Sequence, residues 1–199
     1  MQDIIESFKN LPSTNDAVLI NTLFDLCRII HDSVDCLSPH TEIAHIAALL
    51  NSFIDKINFG KDLEQQLNFY VDCRGAFCNI DLIKDKLIAN VGNLAMRAYK
   101  IMKGKHSKKT ATFVKACLAY CHITIPSLTD AFRKLELLLQ CAQISLVNTC
   151  LPQTDTFLKA AITILPEMPT HYEVNYSFAF AFLFAHVVWY GKRPRRAYN

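Results

Sequence analysis

Glycine and proline are scarce in this sequence, with only 5 and 7 occurrences among 199 residues. A β sandwich needs such turn-forming residues every few positions, so their scarcity argues against this class of fold and favours long helices. Charged residues are also few, at 20%, while hydrophobic residues make up 51% of the chain. This balance excludes an intrinsically disordered protein and predicts a domain with a substantial core.

Sequence motifs of several enzyme classes are missing as well. The chain contains no Walker motif, no dinucleotide-binding fingerprint, no H-E-x-x-H and no C-x2-C pair. We therefore predict a protein that is not an enzyme, with no catalytic, cofactor-binding or metal-binding residues and no cofactor.

No secretory signal opens the chain. Met1 is followed almost at once by Asp3 and Glu6, rather than by a basic segment and a longer apolar run. The eight cysteines are therefore expected to be reduced, buried thiols of a cytosolic protein and not disulfides.

Apolar residues recur at helical spacing along most of the chain. The spacing and the breaker residues predict helices over residues 15–34, 41–60, 62–77, 81–104, 107–126, 127–147 and 154–165. The predicted N-terminal caps include Thr41, Asp81, Ser107 and an S-x-x-D capping box from Ser127 to Asp130. Val71 and Ile101 are expected on the buried faces of the third and fourth helices.

The helices are expected to form a repeat. Pairs begin near Asn15, Asp62 and Ser107, a recurrence of roughly 45 residues that lies within the range of two-helix HEAT-type repeats. Most apolar stripes are wide enough for a helix to contact its own partner and a neighbouring repeat. The predicted fold is an all-α, HEAT-like α-solenoid of antiparallel helix pairs over residues 1–169, and a closed helical bundle is the alternative.

The end of the chain differs from the rest. Residues 176–190 are apolar on all sides and are followed by Lys192, Arg193, Arg195 and Arg196. A run of about 15 residues is short of the roughly 20 that span a bilayer. We predict that residues 170–199 form a divergent tail outside the solenoid, with a membrane-anchored end as the alternative.

Charge is unevenly distributed in a chain whose net charge is +3. Residues 1–85 carry 13 acidic and 6 basic side chains, whereas residues 86–129 carry 8 basic and no acidic ones. Most of this excess lies in the basic junction, which we define as Lys100, Lys103, Lys105, His106, Lys108 and Lys109.

The basic junction spans a predicted helix end and the next helix start. Cations are favourable at a helix C-terminus, which accounts for Lys100 and Lys103, but they are disfavoured at a helix start, where Lys108 and Lys109 lie. We predict that the junction contacts an acidic partner or an anionic surface. The alternative is that it complements the acidic neighbouring repeat. RNA binding is not predicted, because only Tyr99 and Phe113 are near enough to stack on bases.

Two pairs of residues define the enzyme alternative. Cys117 and Cys121 share a helix face and could contact one metal ion, but the adjacent His122 points about 100° away. Cys27 and His31 have the spacing of a thiolate–imidazolium pair, without a glycine-rich turn to supply an oxyanion hole. We predict core packing for these cysteines, and a thiol- or metal-dependent enzyme or a peripheral membrane-binding protein remains as the alternative function.

Two stretches carry a family resemblance. Residues 59–83 read FGKDLEQQLNFYVDCRGAFCNIDLI, and residues 102–128 read MKGKHSKKTATFVKACLAYCHITIPSL. Both resemble the vacuolar-sorting thirty-five-like family, which provides the large scaffold of the endosomal retriever complex. The resemblance continues more loosely from about Asn21 to Pro169, and the residues after Pro169 do not follow the family pattern.

The resemblance implies a non-enzymatic segment of a longer C-terminal helical solenoid. The family scaffold assembles with a small subunit of metallophosphoesterase fold and with an arrestin-like subunit, and the complex returns membrane cargo from endosomes to the cell surface. The resemblance also implies that this segment contacts the phosphoesterase-like subunit, whereas the arrestin-like subunit binds sequence outside this chain. The expected location is the cytoplasmic side of endosomes, with indirect membrane association.

Overall fold

Seven α-helices make up most of residues 16–35 and 37–167, which are the residues that the computed structural model describes. They are α1 (Ala17–Asp32), α2 (His40–Lys56), α3 (Leu63–Ala76), α4 (Asp81–Ile101), α5 (Lys108–Thr124), α6 (Ala131–Val147) and α7 (Leu151–Ile164). Short 3-10 turns at Ile125–Ser127 and Leu165–Glu167 follow α5 and α7.

The helices form two layers. One layer contains α3, α5 and α7, with α5 in contact with both of the others, and the second contains α2, α4 and α6, with α4 in the middle. Across the layers, α4 packs against α3 and α5, and α6 packs against α5 and α7. At the ends, α1 packs on α2, and α7 packs on α5 and α6. Spatial order therefore follows chain order, which confirms the predicted all-α solenoid.

An aromatic cluster joins the first three helices. The Phe24 ring of α1 lies 6.4 Å from Phe53 of α2, 6.5 Å from Phe69 of α3 and 5.5 Å from Phe77 just beyond α3. Phe53 and Phe77 are almost completely buried. The edge-to-face contacts of Phe24 with Phe53 and Phe69 add to the free energy gained from burying apolar surface. The cluster therefore anchors α1 to the rest of the stack.

Polar contacts join α3 to α5 within their layer. The Tyr120 hydroxyl donates to the Tyr70 carbonyl oxygen at 3.2 Å, and the Arg74 guanidinium donates to the Thr124 hydroxyl at 3.2 Å. The Arg74 guanidinium also lies 5.4 Å from the centre of the Tyr120 ring. These contacts supply hydrogen-bond partners for polar groups that packing of the two helices removes from water.

A second polar network joins α4 to the loop before α6. The Asp81 carboxylate accepts from the Thr129 backbone N–H at 2.7 Å and from its hydroxyl at 2.6 Å. Lys84, which is buried, lies 2.6 Å from Asp81 and donates to the Ser127 carbonyl oxygen at 2.7 Å. Arg133 of α6 binds both carboxylate oxygens of Asp85, at 2.7 and 3.1 Å. The two helices are thereby fixed in register.

The predicted N-terminal caps are partly right. Ser107 caps α5, because its hydroxyl accepts from the Thr110 N–H, and Asp130 caps α6 by accepting from Phe132 and Arg133. The capping box itself is wrong, since Ser127 lies in the 3-10 turn and its hydroxyl donates to the Thr124 carbonyl oxygen. An Asp at the cap position satisfies two N–H groups alone, which leaves no role for Ser127.

Three other predicted helix starts are shifted. Helix α2 begins at His40 after Pro39, so Thr41 lies inside the first turn. Helix α4 takes Ile80 at its cap position, because the Asp81 carboxylate is drawn to Thr129. Helix α7 begins at Leu151 instead of near residue 154, with a proline in its first turn, where a missing N–H costs no hydrogen bond.

Two residues expected on buried faces are exposed. Val71 of α3 is 45% exposed and Ile101 at the end of α4 is 61% exposed. Both follow the helical period of their neighbours, but the adjacent helices do not cover these positions. The prediction that they face the core is therefore wrong.

The predicted tail at residues 170–199, including the run 176–190, lies outside the described residues, so the boundary at residue 169 stays a prediction. Among residues 16–35 and 37–167, no helix combines the length and apolar character that crossing a bilayer requires.

Packing of α7 can be tested at Phe157, which is 1% exposed and lies 5.6 Å, ring to ring, from His122 of α5. Phe157→Ala should lower the free energy of unfolding by about 3–5 kcal/mol, because it leaves a cavity in the core where α7 packs. Ile162→Ala on the same helix, where the side chain is 64% exposed, should cost below about 1 kcal/mol. Urea unfolding followed by circular dichroism measures both. Equal losses would contradict the described packing of α7.

The Asp81 network predicts a pH dependence of stability. Burial alone would raise the pKa of Asp81, but hydrogen bonds from Lys84 and Thr129 outweigh it and hold the pKa below the ordinary 3.8. A carboxyl group with a lowered pKa in the folded state stabilises the protein above its unfolded pKa, and this contribution disappears as the pH falls through the folded pKa.

Asp81→Asn should therefore destabilise the protein by about 1–2 kcal/mol at pH 7, and the difference from the unaltered protein should shrink below pH 4. Urea midpoints between pH 2.5 and 7 provide the measurement. Asp155→Asn, which alters an exposed ion pair on α7, is the control. A constant difference across this range would show that the Asp81 charge is not the stabilising feature.

Candidate partner-binding site

The basic junction occupies the turn between α4 and α5. The Lys103 N–H donates to the Lys100 carbonyl oxygen at 3.2 Å, and the Gly104 N–H donates to the Tyr99 carbonyl oxygen at 3.1 Å. This pair of bonds is a Schellman motif, which requires a left-handed residue after the helix. Lys103 takes that position with φ 49°, and Gly104 follows with φ 77°. The helix therefore ends close to the predicted position at Gly104, but the first left-handed residue is Lys103 and not the glycine.

Helix α5 then begins directly with Lys108 and Lys109. The Lys109 ammonium lies 3.1 Å from the Glu64 carboxylate of α3, with both side chains largely exposed. Lys86 of α4 similarly lies 2.9 Å from Asp55 of α2. At these two positions residues 86–129 pair with the acidic first part of the chain, as expected if their positive charge complements the neighbouring repeat.

The other junction lysines have no such partner. Lys100, Lys103, Lys105 and Lys108 are exposed, and in the part of the chain that the structure describes no carboxylate lies within ion-pair distance of them. His106 is different, because its ring is half-buried 6.1 Å from the Tyr99 ring and both its ring nitrogens are shielded from solvent. The exposed positive charge of the junction therefore comes from its lysines.

An open groove of about 570 Å³ lies beside the junction. It is lined by the start of α3, the end of α4 and the first turns of α5, through Lys61, Asp62, Leu63, Glu64, Ala98, Ile101, Met102, Lys109, Thr110 and Phe113. Its lining residues come from three separate parts of the sequence, so no local pattern predicts it. The unexpectedly exposed Ile101 belongs to this groove.

The cysteines of α5 lie in the core. Cys117 and Cys121 are both 1% exposed. Burial raises the pKa of the Cys117 thiol from 9.0 to about 12, and a hydrogen bond to Cys141 together with burial raises that of Cys121 well above its ordinary value. His122 is exposed and faces Phe157. Within residues 16–35 and 37–167, no three His, Cys, Asp or Glu side chains are grouped to hold a metal ion.

The second candidate pair is buried without forming a dyad. Cys27 is fully buried, and desolvation raises its pKa from 9.0 to about 12. The His31 Nδ1 atom is hydrogen-bonded to Asp32 at 3.0 Å, and its ring packs 5.6 Å from Phe77. A thiol with such a high pKa is protonated at neutral pH and is a poor nucleophile or metal ligand. The geometry therefore favours packing roles for these residues.

Comparison with known proteins now identifies the family. The family model of the VPS35L C-terminal domain matches residues 1–180. The chain belongs to the VPS35L C-terminal domain family. The mouse protein named VPS35 endosomal protein-sorting factor-like is 50% identical over 156 residues, its human counterpart 49% and a Dictyostelium discoideum relative 44%. Each alignment covers 78% of this chain and 16% of the relative.

The family assignment confirms the resemblance found in residues 59–83 and 102–128, and the family match extends beyond Pro169 to residue 180. The names of these relatives connect them with protein sorting at endosomes. The chain spans only about one sixth of the length of these relatives, so properties of the whole relatives do not transfer to it directly.

Thiol labelling tests whether the core cysteines of this VPS35L segment are available for chemistry. Iodoacetamide at pH 8 should alkylate the exposed Cys78 at least about 100-fold faster than Cys117 or Cys121 in the native protein, because only unfolding exposes the latter. Peptide mass spectrometry reads each position separately. In urea all three should react at similar rates, and fast native labelling of Cys121 would restore the enzyme alternative.

Proposed function

We propose that this chain is a non-enzymatic scaffold segment of an endosomal retrieval complex of the retriever type. The observation that carries the proposal is the VPS35L family match over residues 1–180. A two-layer helical stack supports it, because such stacks bind partners through extended surfaces and need no cofactor. The high thiol pKa values at Cys27 and Cys117 disfavour thiol catalysis at those two positions.

The partner assigned to this segment is the small subunit of metallophosphoesterase fold. The arrestin-like subunit binds sequence outside this chain, and attachment to the endosomal membrane is indirect, through the assembled complex. In this role the segment contributes to the transport of membrane cargo from the endosome to the plasma membrane.

The contact surface that we assign includes the lysines of the basic junction. Lys105 and Lys108 are exposed, and a helix start that carries two lysines is less stable than one that carries acidic residues. A carboxylate-rich partner surface would offset this cost. Ion pairs formed across an interface speed association and select the partner, and salt weakens them.

Size-exclusion chromatography of the chain with the purified phosphoesterase-fold subunit tests the proposal. The two should co-elute and show no hydrolytic activity. Lys105→Glu with Lys108→Glu should weaken binding at least about tenfold at 50 mM salt, because like charges replace opposite ones. Lys134→Glu with Lys159→Glu on α6 and α7 is the control.

Absence of co-elution, both for this chain and for a longer protein that contains it, would overturn the scaffold function. Co-elution that the Lys105 and Lys108 substitutions leave unchanged would overturn the contact surface and leave the function standing.

A further inference from the structure

The groove between α3, α4 and α5 has an apolar floor. Ala98 and Phe113 are buried beneath it, whereas Ile101 is 61% exposed beside Met102. A volume of about 570 Å³ lies within the range of pockets that hold small ligands or a few side chains. Covering Ile101 with an apolar side chain would remove its surface from water, which is favourable in proportion to the area covered.

Positive charge surrounds this floor. Lys61 and Lys109 line the groove. Lys105 lies in the turn before α5, and Lys108 is the first residue of that helix. Arg97 reaches the Gly60 carbonyl oxygen at 2.9 Å beside Lys61. Helices α3 and α5 also begin at the groove, so the positive ends of both helix dipoles lie there.

The two carboxylates that line the groove are already engaged. Asp62 caps α3 by accepting from the Gln65 N–H at 2.9 Å. Glu64 is paired with Lys109 at 3.1 Å. The α4 C-terminus contributes a negative dipole end, but Lys100 and Lys103 lie there. The two cations and two carboxylates that line the groove therefore balance, and the excess positive charge comes from Arg97 and from Lys100, Lys103, Lys105 and Lys108 around it.

We propose that this groove binds an acidic peptide segment of a partner protein, with an apolar side chain against Ile101 and Met102 and a carboxylate on Lys109. The proposal rests on the scaffold function, but it does not require the phosphoesterase-fold subunit to be the partner. A peptide fits better than a membrane, because a peptide can place one side chain against Ile101 and a carboxylate on Lys109 between three helix ends, whereas a lipid surface is planar.

Glu64 acts as a built-in competitor in this arrangement. Its ion pair with Lys109 joins side chains that are 55% and 79% exposed. Exposed pairs of this kind are weak, so an incoming carboxylate can replace Glu64 on Lys109 at little cost. Removal of the Glu64 charge should therefore strengthen peptide binding, which is opposite to the effect expected if Glu64 served only to stabilise the fold.

The probe is a set of twelve-residue random peptides displayed on phage and selected on the full chain. Recovered peptides should be enriched in Asp and Glu and should contain a large apolar residue. Fluorescence anisotropy with the best labelled peptide then gives Kd at 50 and 300 mM salt. Binding should weaken several-fold at the higher salt.

Three pairs of variants separate the groove from general surface effects. Ile101→Asp should weaken peptide binding at least about tenfold, and Lys109→Glu about five- to tenfold, whereas Glu64→Gln should tighten it about two- to threefold. The matched controls lie on α7, where Ile162 is 64% exposed and the Lys159–Asp155 pair has similar exposure. Ile162→Asp, Lys159→Glu and Asp155→Asn should each leave Kd within twofold.

All substituted side chains are exposed, and circular dichroism with urea midpoints confirms that each variant folds. The proposal is overturned if selection recovers no acidic peptides, or if Ile101→Asp and Lys109→Glu bind them as tightly as the unaltered chain. A second outcome is that no peptide is recovered but the chain binds phosphatidylserine vesicles. If Ile101→Asp and Lys109→Glu each abolish that vesicle binding, the peptide proposal is overturned in favour of a membrane. If the chain still co-elutes with the phosphoesterase-fold subunit, each of these results overturns only the peptide groove, and the scaffold function stands.

Discussion

Helix α4 must bury two faces at once, and most other features of the structure depend on this. It is the longest helix described, at 21 residues, and it packs against α3 and α5 across the layers and against α2 and α6 within its own layer. Ile83, Leu87 and Val91 are completely buried as a result. Lys84 is buried as well, and it is satisfied by Asp81 and the Ser127 carbonyl oxygen. Because α4 is enclosed in this way, it fixes the spacing between α3 and α5 in one layer and between α2 and α6 in the other.

The same enclosure shields the core cysteines Cys117, Cys121 and Cys141 from solvent. Close helix packing around α5 leaves room for small side chains, and Cys117, Cys121 and Cys141 fill such positions. The burial that makes these residues useful in packing also disfavours the charged thiolate, which raises the pKa of Cys117 and Cys121. Spacing along a helix predicted that Cys117 and Cys121 share a face. It did not predict the third thiol, because Cys141 comes from α6.

The order of the helices that the structure describes was predictable from the sequence because helical periodicity and breaker residues are local signals. The starts near Asp62 and Ser107 were also predictable, since both side chains cap the backbone N–H groups beside them. Asp81 misled the prediction because its carboxylate is used by Thr129, which is distant in sequence. Ile101 and the groove were not predictable, because exposure at a helix end depends on how far the neighbouring helices extend.

The turn between α4 and α5 shows that the junction lysines are not needed to end the helix. Lysine side chains near a helix C-terminus often donate hydrogen bonds to the last carbonyl groups. Here the Lys103 and Gly104 N–H groups already donate to the Lys100 and Tyr99 carbonyl oxygens. Glycine would adopt the φ of 49° at Lys103 at lower cost. Lys103 therefore adopts a left-handed conformation that glycine would adopt at lower cost, and its exposed charge adds to that of the neighbouring lysines on which the proposed contact with an acidic partner depends.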